Sequence, residues 1–336
     1  MASLRLPELT YDCLRCGKSC QGWRVLADES ARQRLQGHPL VDRQRQAGFE
    51  PFVEGPDGLF RLANTHQHGA CVFLEGNDCS LHAHSGAEIK PRACRQFPFF
   101  FKVTPDGVFV GLSFRCTAVL AAHGRPLEAH REHLQALLDG GDYPRAGFEP
   151  IPLFGQQTIE WDDYQRLERR LGDSLTAEGA RADLAWTALE ELTGRVAPDP
   201  YRQQWLAAAV VAWLEHCEPA EVISGSFRSA RFPSGASPGR VEGLEQPLSR
   251  FLEHLLFRKY LLGPALLGRA VVWVVLPAVA RFYAGARAAE LGQVASAEHL
   301  DWSLSVLEGE LLGHVEESTR FYQALAEFYW QPEVKP

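Results

Sequence analysis

The sequence predicts a mainly α-helical protein: a small, loop-rich cysteine region containing one β-hairpin, then an α-helical C-terminal domain. Three observations lead there. Seven of the eight cysteines, Cys13, Cys16, Cys20, Cys71, Cys79, Cys94 and Cys116, fall between residues 13 and 116 of 336. Two runs of aromatic and β-branched residues, 97–103 and 108–114, flank Thr104-Pro105-Asp106-Gly107, a tight-turn sequence. From Trp161 onward, apolar residues recur at helical spacing.

The cysteines come first. No basic start, apolar stretch or cleavage site opens MASLRLPELTYD, so a reducing, cytoplasmic setting is expected, where seven clustered thiols point to metal rather than disulfides. Cys13-Leu-Arg-Cys16-Gly17-Lys-Ser-Cys20 is a knuckle in which thiolates two residues apart can face one ion. Gly17 permits the tight or left-handed backbone such a turn often needs. Between Cys71 and Cys79, the turn-prone residues Glu75 to Asp78 let the chain double back and bring both thiols toward one site. Cys94 and Cys116 lie almost equally far from the hairpin turn, so the hairpin is expected to set them together at its open end. Seven thiols exceed the four that one structural zinc or one [4Fe–4S] cluster takes. Either there are two sites, or some thiols stand behind the ligands. The region is thus read as metal-stapled.

The knuckle CLRCGKSC, the segment CVFLEGNDCSLH and the segment KPRACRQFPFF resemble the YkgJ-type cysteine-cluster family, with its CxxCxxCC-like motif, described as zinc- or iron-chelating domains. The resemblance covers residues 11–120. Cys20-Gln-Gly-Trp23-Arg-Val25 and Leu112-Ser-Phe-Arg-Cys116 are similar to the flagellin lysine-N-methylase (FliB-like) branch, and Phe257-Arg-Lys-Tyr260 is similar to part of that branch's helical tail. The resemblance implies all seven cysteines as metal ligands, an iron–sulfur cluster, S-adenosylmethionine as methyl donor and a flagellin-like protein as substrate. One departure is Ser19, where the family knuckle has the first of two adjacent cysteines. Serine is a poor ligand for a soft metal, so fewer ions or a simpler ligand set are expected.

Neighbouring charges fit a thiolate site without choosing its metal. Residues 1–120 hold 14 Lys+Arg against 12 Asp+Glu, and 121–336 hold 20 against 30. Lys18, Lys90, Arg92 and Arg95 stand beside ligand candidates, where they offset thiolate charge or are ordinary solvated residues. His66, His68, His82 and His84 are the imidazole alternatives, but the thiols already suffice.

Residues 1–139 are read as the cysteine domain, 140–155 as a Gly- and Pro-rich linker, and 156–336 as the helical domain. Helices are expected over 161–175, 182–196, 201–217, 247–262, 265–291 and 297–330. Trp205, Ala208, Ala209, Ala212 and Trp213 mark one core stripe, and Cys217 is an ordinary buried thiol. Residues 224–246, rich in Gly, Ser and Pro with Arg228, Arg231 and Arg240, read as a long loop of the lid or binding kind. Residues 261–280 are the most apolar, but Pro264, Arg269 and Pro277 interrupt them, so a buried helix or helix pair is expected, not a membrane span.

No GxGxxG turn, Walker loop, HExxH helix or GxSxG elbow is present, and the knuckle spacing reverses that of radical S-adenosylmethionine enzymes. A pI near 5.9 with no basic arm argues against nucleic acid. Two readings remain. In one the chain carries an iron–sulfur cluster and extends to lysine methylation, with the acidic pair Glu190-Glu191 attracting the substrate amine. In the other, zinc staples a protein-binding module without catalysis.

Overall fold

The computed structural model describes residues 3–21, 24–65, 69–177, 181–214, 244–311 and 315–330, with side chains from Thr319 on in the last stretch. The fold is mainly α, with a few short strand pairs. One unit comprises Met1–Pro7, Phe101–Gly111 and Asp142–Pro336; the other comprises Glu8–Phe100 and Leu112–Gly141 and holds all seven clustered cysteines.

The cysteine unit is made of short pieces, because its sequence breaks every few residues at Gly, Pro or Asp. Helix Glu29–Leu35 starts at Asp28, whose carboxylate accepts the Ala31 N–H (2.9 Å). Helix Pro39–Gln46 starts on a proline, which lacks only an N–H that the first turn leaves unpaired anyway. Hairpin Phe52–Glu54 with Phe60–Leu62 follows, then the small hairpin Leu74–Glu75 with Asp78–Cys79, and helix Ser80–Ser85. Their apolar faces share one core of Leu35, Val41, Leu62, Val72, Phe73 and Leu81. Strand Thr10–Tyr11 pairs antiparallel with Arg125–Pro126, and helix Thr117–Leu120 lies just upstream of that pair.

The hairpin expected around Pro105-Asp106 is present as Phe99–Thr104 and Gly107–Leu112. It gains a third strand that the sequence did not signal: Leu4–Arg5 runs parallel to Gly107–Leu112, with Leu4 opposite Val108. Two residues are too few for a period-two pattern to show. Gly107 has φ 128, and a Cβ there would stand 2.6 Å from the Ser3 carbonyl, so this pairing requires glycine. The 140–155 stretch, expected as a linker, carries strand Ile151–Phe154, which pairs with Gln157–Ile159 and buries Ile151 and Leu153.

In the helical unit, helix Trp161–Leu175 lies where expected and buries Tyr164, Leu167 and Leu171, one stripe at helical spacing. Helices Arg181–Thr193, Pro200–Leu214 and Glu245–Phe257 follow, then Leu266–Glu290, which is buried along most of its length as expected for a core helix. It is long and apolar enough to cross a membrane by composition alone, but 72% of its most apolar window lies inside the fold. Gly268 allows the backbone of Tyr322 to approach: a Cβ at Gly268 would stand 1.9 Å from the Tyr322 carbonyl oxygen.

Two expectations need correction. The single helix expected over 297–330 is two, Ala297–Glu310 and Val315–Trp330, both packed on Leu266–Glu290. One unbroken helix would run roughly 50 Å and carry half its apolar face past the core. On Pro200–Leu214 the buried face is Leu206, Ala207, Ala209, Val210, Val211 and Ala212, whereas Trp205 and Trp213 stack on Phe328 (3.8 Å) and Phe321 (4.9 Å). Cys217 and residues 224–243 of the expected loop lie outside the described residues.

The segment Phe257-Arg-Lys-Tyr260 is a buried polar knot within this unit. Arg258 bonds Glu308 (2.7 Å), Lys259 bonds Glu168, and the Tyr260 hydroxyl donates to that of Tyr322 (3.0 Å). Tyr322 in turn donates to the Leu311 carbonyl (3.0 Å), and Tyr164 to Glu168 (2.6 Å).

Candidate metal centre

All seven clustered cysteines are free thiols. They divide into two groups, and the knuckle is what divides. Gly17 takes a left-handed conformation (φ 66, ψ −8) and starts the 3-10 turn Lys18–Cys20. A Cβ at Gly17 would stand 3.2 Å from the Asn77 backbone and the Leu74 side chain, so the turn lies against the Leu74–Cys79 hairpin. Cys20 thereby packs against the core that holds Cys71 while Cys13 and Cys16 still act on it.

The first group is Cys20, Cys71, Cys79 and Cys94. Cys71 belongs to the core of the unit, and Cys20, Cys79 and Cys94 pack against that core. The Cys71 N–H donates to the Cys20 carbonyl (2.8 Å), beside an antiparallel bridge from Gln21 to Ala70. The chain doubles back at 75–78 as expected, with Leu74 opposite Cys79. Cys94 comes in on helix Arg92–Gln96. Burial pushes the Cys71 thiol up to about 12, and the nearby Cys20 and Cys79 add to that rise. Burial also raises the Cys94 thiol, followed by Cys71, against the opposing charge of Lys90. In Cys20 burial again leads, then Cys79.

The second group is Cys13, Cys16 and Cys116. Cys116 caps helix Thr117–Leu120, and Thr117 Oγ1 lies 3.9 Å from Cys16 Sγ. Burial raises the Cys116 thiol, and Cys13 and Cys16 raise it further. The thiols acting on Cys94 are Cys71, Cys79 and Cys20, and those acting on Cys116 are Cys13 and Cys16. Each strand runs into a short helix, Arg92–Gln96 before it and Thr117–Leu120 after it, and these carry the two thiols into different groups.

Several sulfurs receive hydrogen bonds suited to a thiolate. The Arg15 N–H points at Cys13 Sγ (3.4 Å), the Phe73 N–H at the Cys71 sulfur, and the Ala118 and Val119 N–H groups at the Cys116 sulfur. Such donors stabilise negative charge on sulfur, the form that binds metal. Among the cations expected to offset that charge, Lys90 acts on both Cys20 and Cys94, whereas Arg95 pairs with Glu88 (2.7 Å). As the side chains stand, no three His, Cys, Asp or Glu of the described residues already converge on one point. In identity the thiols fit a soft ion, and ligation requires them to turn inward. His82 and His84 are exposed, with His84 bonded to Ser85 (2.8 Å); His66 and His68 lie outside the described residues.

Two contributors were not legible in the sequence. Tyr11 precedes the knuckle, and its hydroxyl, its pKa raised first by burial, hydrogen-bonds Cys13. Asp28 serves two helices, since its second oxygen accepts the Arg92 N–H (2.7 Å) at the start of the helix that carries Cys94. An N-cap was readable at Asp28, but a partner 64 residues away was not. Burial works to raise the Asp28 carboxyl, yet the Arg92 and Ala31 N–H groups together outweigh it and hold the carboxyl below its ordinary value. The sign follows from this depression. The stability Asp28 contributes is present above the unfolded carboxyl pKa of about 3.9 and is lost as pH falls through the lower folded value. Asp28→Ala is expected to cost about 1–2 kcal/mol at neutral pH and to flatten the acid limb of the stability curve, checked by urea titration at several pH values.

The cysteine set is that of a metal-binding segment, and the support for it comes from a family match. Residues 12–112 match the family CxxCxxCC, "Putative zinc- or iron-chelating domain". The uncharacterised protein MJ0939 of Methanocaldococcus jannaschii is 31% identical over 101 residues, which is 30% of this chain and 33% of that relative. No solved structure matches.

Proposed function

We propose that Cys20, Cys71, Cys79 and Cys94 hold an iron–sulfur cluster of the [4Fe–4S] type, which organises the loop-rich unit around them. The carrying observation is that these four thiols, drawn from four separate segments, gather on one apolar core. An all-sulfur set selects soft or borderline metals, and four thiolates are the number a cluster takes. The backbone N–H at Cys71 and the charge of Lys90 are the kind of contact that sets a cluster's potential. The metal would supply electron transfer or Lewis acidity; the chain supplies ligands, burial and compensating charge.

Zinc is the competing ion. Anaerobic purification is expected to give a brown protein with broad visible absorption, iron and acid-labile sulfide. A colourless protein with stoichiometric zinc would sink the cluster and leave a zinc-stapled binding module.

Methyl transfer from S-adenosylmethionine draws no support from the described residues. Glu191, expected to attract a substrate lysine, is bonded to Arg170 (2.5 Å), and Trp23 lies outside them.

A further inference from the structure

We propose that Cys13, Cys16 and Cys116 form a second, three-thiolate site that takes one soft divalent ion and leaves one coordination position open. The proposal rests on the reading that this unit binds metal through its cysteines, and concerns a second ion in it.

Packing separates the groups. Cys20, Cys79 and Cys94 sit against the core that includes Cys71, and none of Cys13, Cys16 and Cys116 belongs to it. Backbone pairing then brings these three together. Strand Thr10–Tyr11 is fixed on Arg125–Pro126, the Asp12 N–H donates to the His123 carbonyl (2.9 Å), and Thr10 Oγ1 donates to the Ala122 carbonyl (2.7 Å). Cys13 follows directly on this tie, and Cys116 caps the helix that leads into residues 121–123. Asp12 locks the junction by pairing with Arg125 (2.9 Å). Cys16 reaches the same place, 3.9 Å from the Thr117 hydroxyl.

Every sulfur of the three has a polar neighbour. Cys13 has the Arg15 N–H and the Tyr11 hydroxyl, Cys16 has Thr117, and Cys116 has two backbone N–H groups. Exposure is graded: Cys116 is buried, Cys16 half-buried and Cys13 exposed. Sites closed by four protein ligands are structural, whereas three ligands with a solvent-facing side leave room for water or an exchangeable ligand. The exposed Cys13 and half-buried Cys16 are the side chains that can turn to complete it. Cys20 interacts with Cys13 and Cys16 as well as with Cys79, so the test must separate two sites from one shared site.

The full chain, stripped of metal and kept reduced, would be titrated with Co²⁺ alone and read by its thiolate charge-transfer and d–d bands, with bound metal counted by mass spectrometry. Two equivalents are expected. Cys13→Ser and Cys116→Ser should each retain one, with a tetrathiolate spectrum, and Cys79→Ser should retain the other. Added imidazole should alter the d–d bands of the wild type and of Cys79→Ser but leave those of Cys116→Ser unchanged. Cys13 is exposed, so its serine variant keeps the test valid if Cys116→Ser misfolds. A single equivalent, lost equally in Cys13→Ser and Cys79→Ser, would overturn the second site and leave the metal-binding reading standing. No bound Co²⁺ at all would overturn both.

Discussion

Cys94→Ser is expected to remove the metal from the four-thiol group and to destabilise the cysteine unit strongly, leaving only the ion held by Cys13, Cys16 and Cys116 in it. Cys94 is the one ligand of that group carried within an α-helix, and it packs on the core that Cys71 enters. Structural zinc in small thiolate domains contributes an apparent 10–16 kcal/mol or so at neutral pH, comparable to the whole stability of about 5–15 kcal/mol of an ordinary domain. A unit built of helices as short as four residues has little else to hold it. Metal counting on the purified variant and its circular-dichroism melt are the readouts. Cys94→Ala keeps the apolar packing while removing the ligand, so it should fail as Cys94→Ser does. Cys217→Ser, far outside the cysteine cluster in sequence, should keep full metal and an unchanged melt. A full metal complement in Cys94→Ser, or equal loss in Cys217→Ser, would exclude this assignment.

The second large effect belongs to the helical unit. Glu308→Ala is expected to destabilise it by about 3–5 kcal/mol, because it removes one side of a buried ion pair. Arg258 and Glu308 are 8% and 3% exposed and lie 2.7 Å apart, and Gly111 makes room for the arginine, since a Cβ there would stand 2.5 Å from Arg258 Cβ. The other carboxylate oxygen, Glu308 Oε2, is buried with no hydrogen-bond partner among the described residues. A half-satisfied pair of this kind contributes little net stability, yet is costly to break on one side only. The double variant Arg258→Met/Glu308→Leu should therefore recover most of the loss. Urea unfolding of the two variants decides it: a single variant within about 0.5 kcal/mol of wild type, or a double variant no better than the single, contradicts the account.

Much of the fold was legible because it rests on local chemistry. The turn Pro105-Asp106, the stripe Tyr164, Leu167 and Leu171, the doubling back between Cys71 and Cys79, and the left-handed Gly17 are all fixed by residues within a few positions of one another. Features set by distant partners were not legible. The symmetry of Cys94 and Cys116 about the turn predicted one site, but the two thiols stand on a five-residue helix and at the head of a four-residue one, and such short helices leave no periodic pattern. The knuckle looked like one unit for a similar reason. Its three cysteines are neighbours in sequence, and only the packing of Gly17 on Asn77 and of Cys20 on the core shows Cys20 joining the other group as well. The stacking of Trp205 on Phe328 escaped because a tryptophan at helical spacing reads as core whether it is enclosed or lies against one neighbouring ring.

The chain passes between its two units at residues 7/8, 100/101, 111/112 and 141/142, and that interleaving dictates an order of assembly during synthesis. By the time residue 141 has been made, every element of the cysteine unit exists, including all seven thiols. Strand Leu4–Arg5 and the hairpin it joins, although translated early, belong to a unit whose helices are still to come. At about 5–20 residues per second, the helices up to Trp330 take roughly another 10–40 s. For that interval a finished set of thiols is available to the ion supply of the compartment while the hairpin has no completed helical unit to join. A chain that meets no ion in that interval would carry an unstapled cysteine unit through the synthesis of every helix after residue 141.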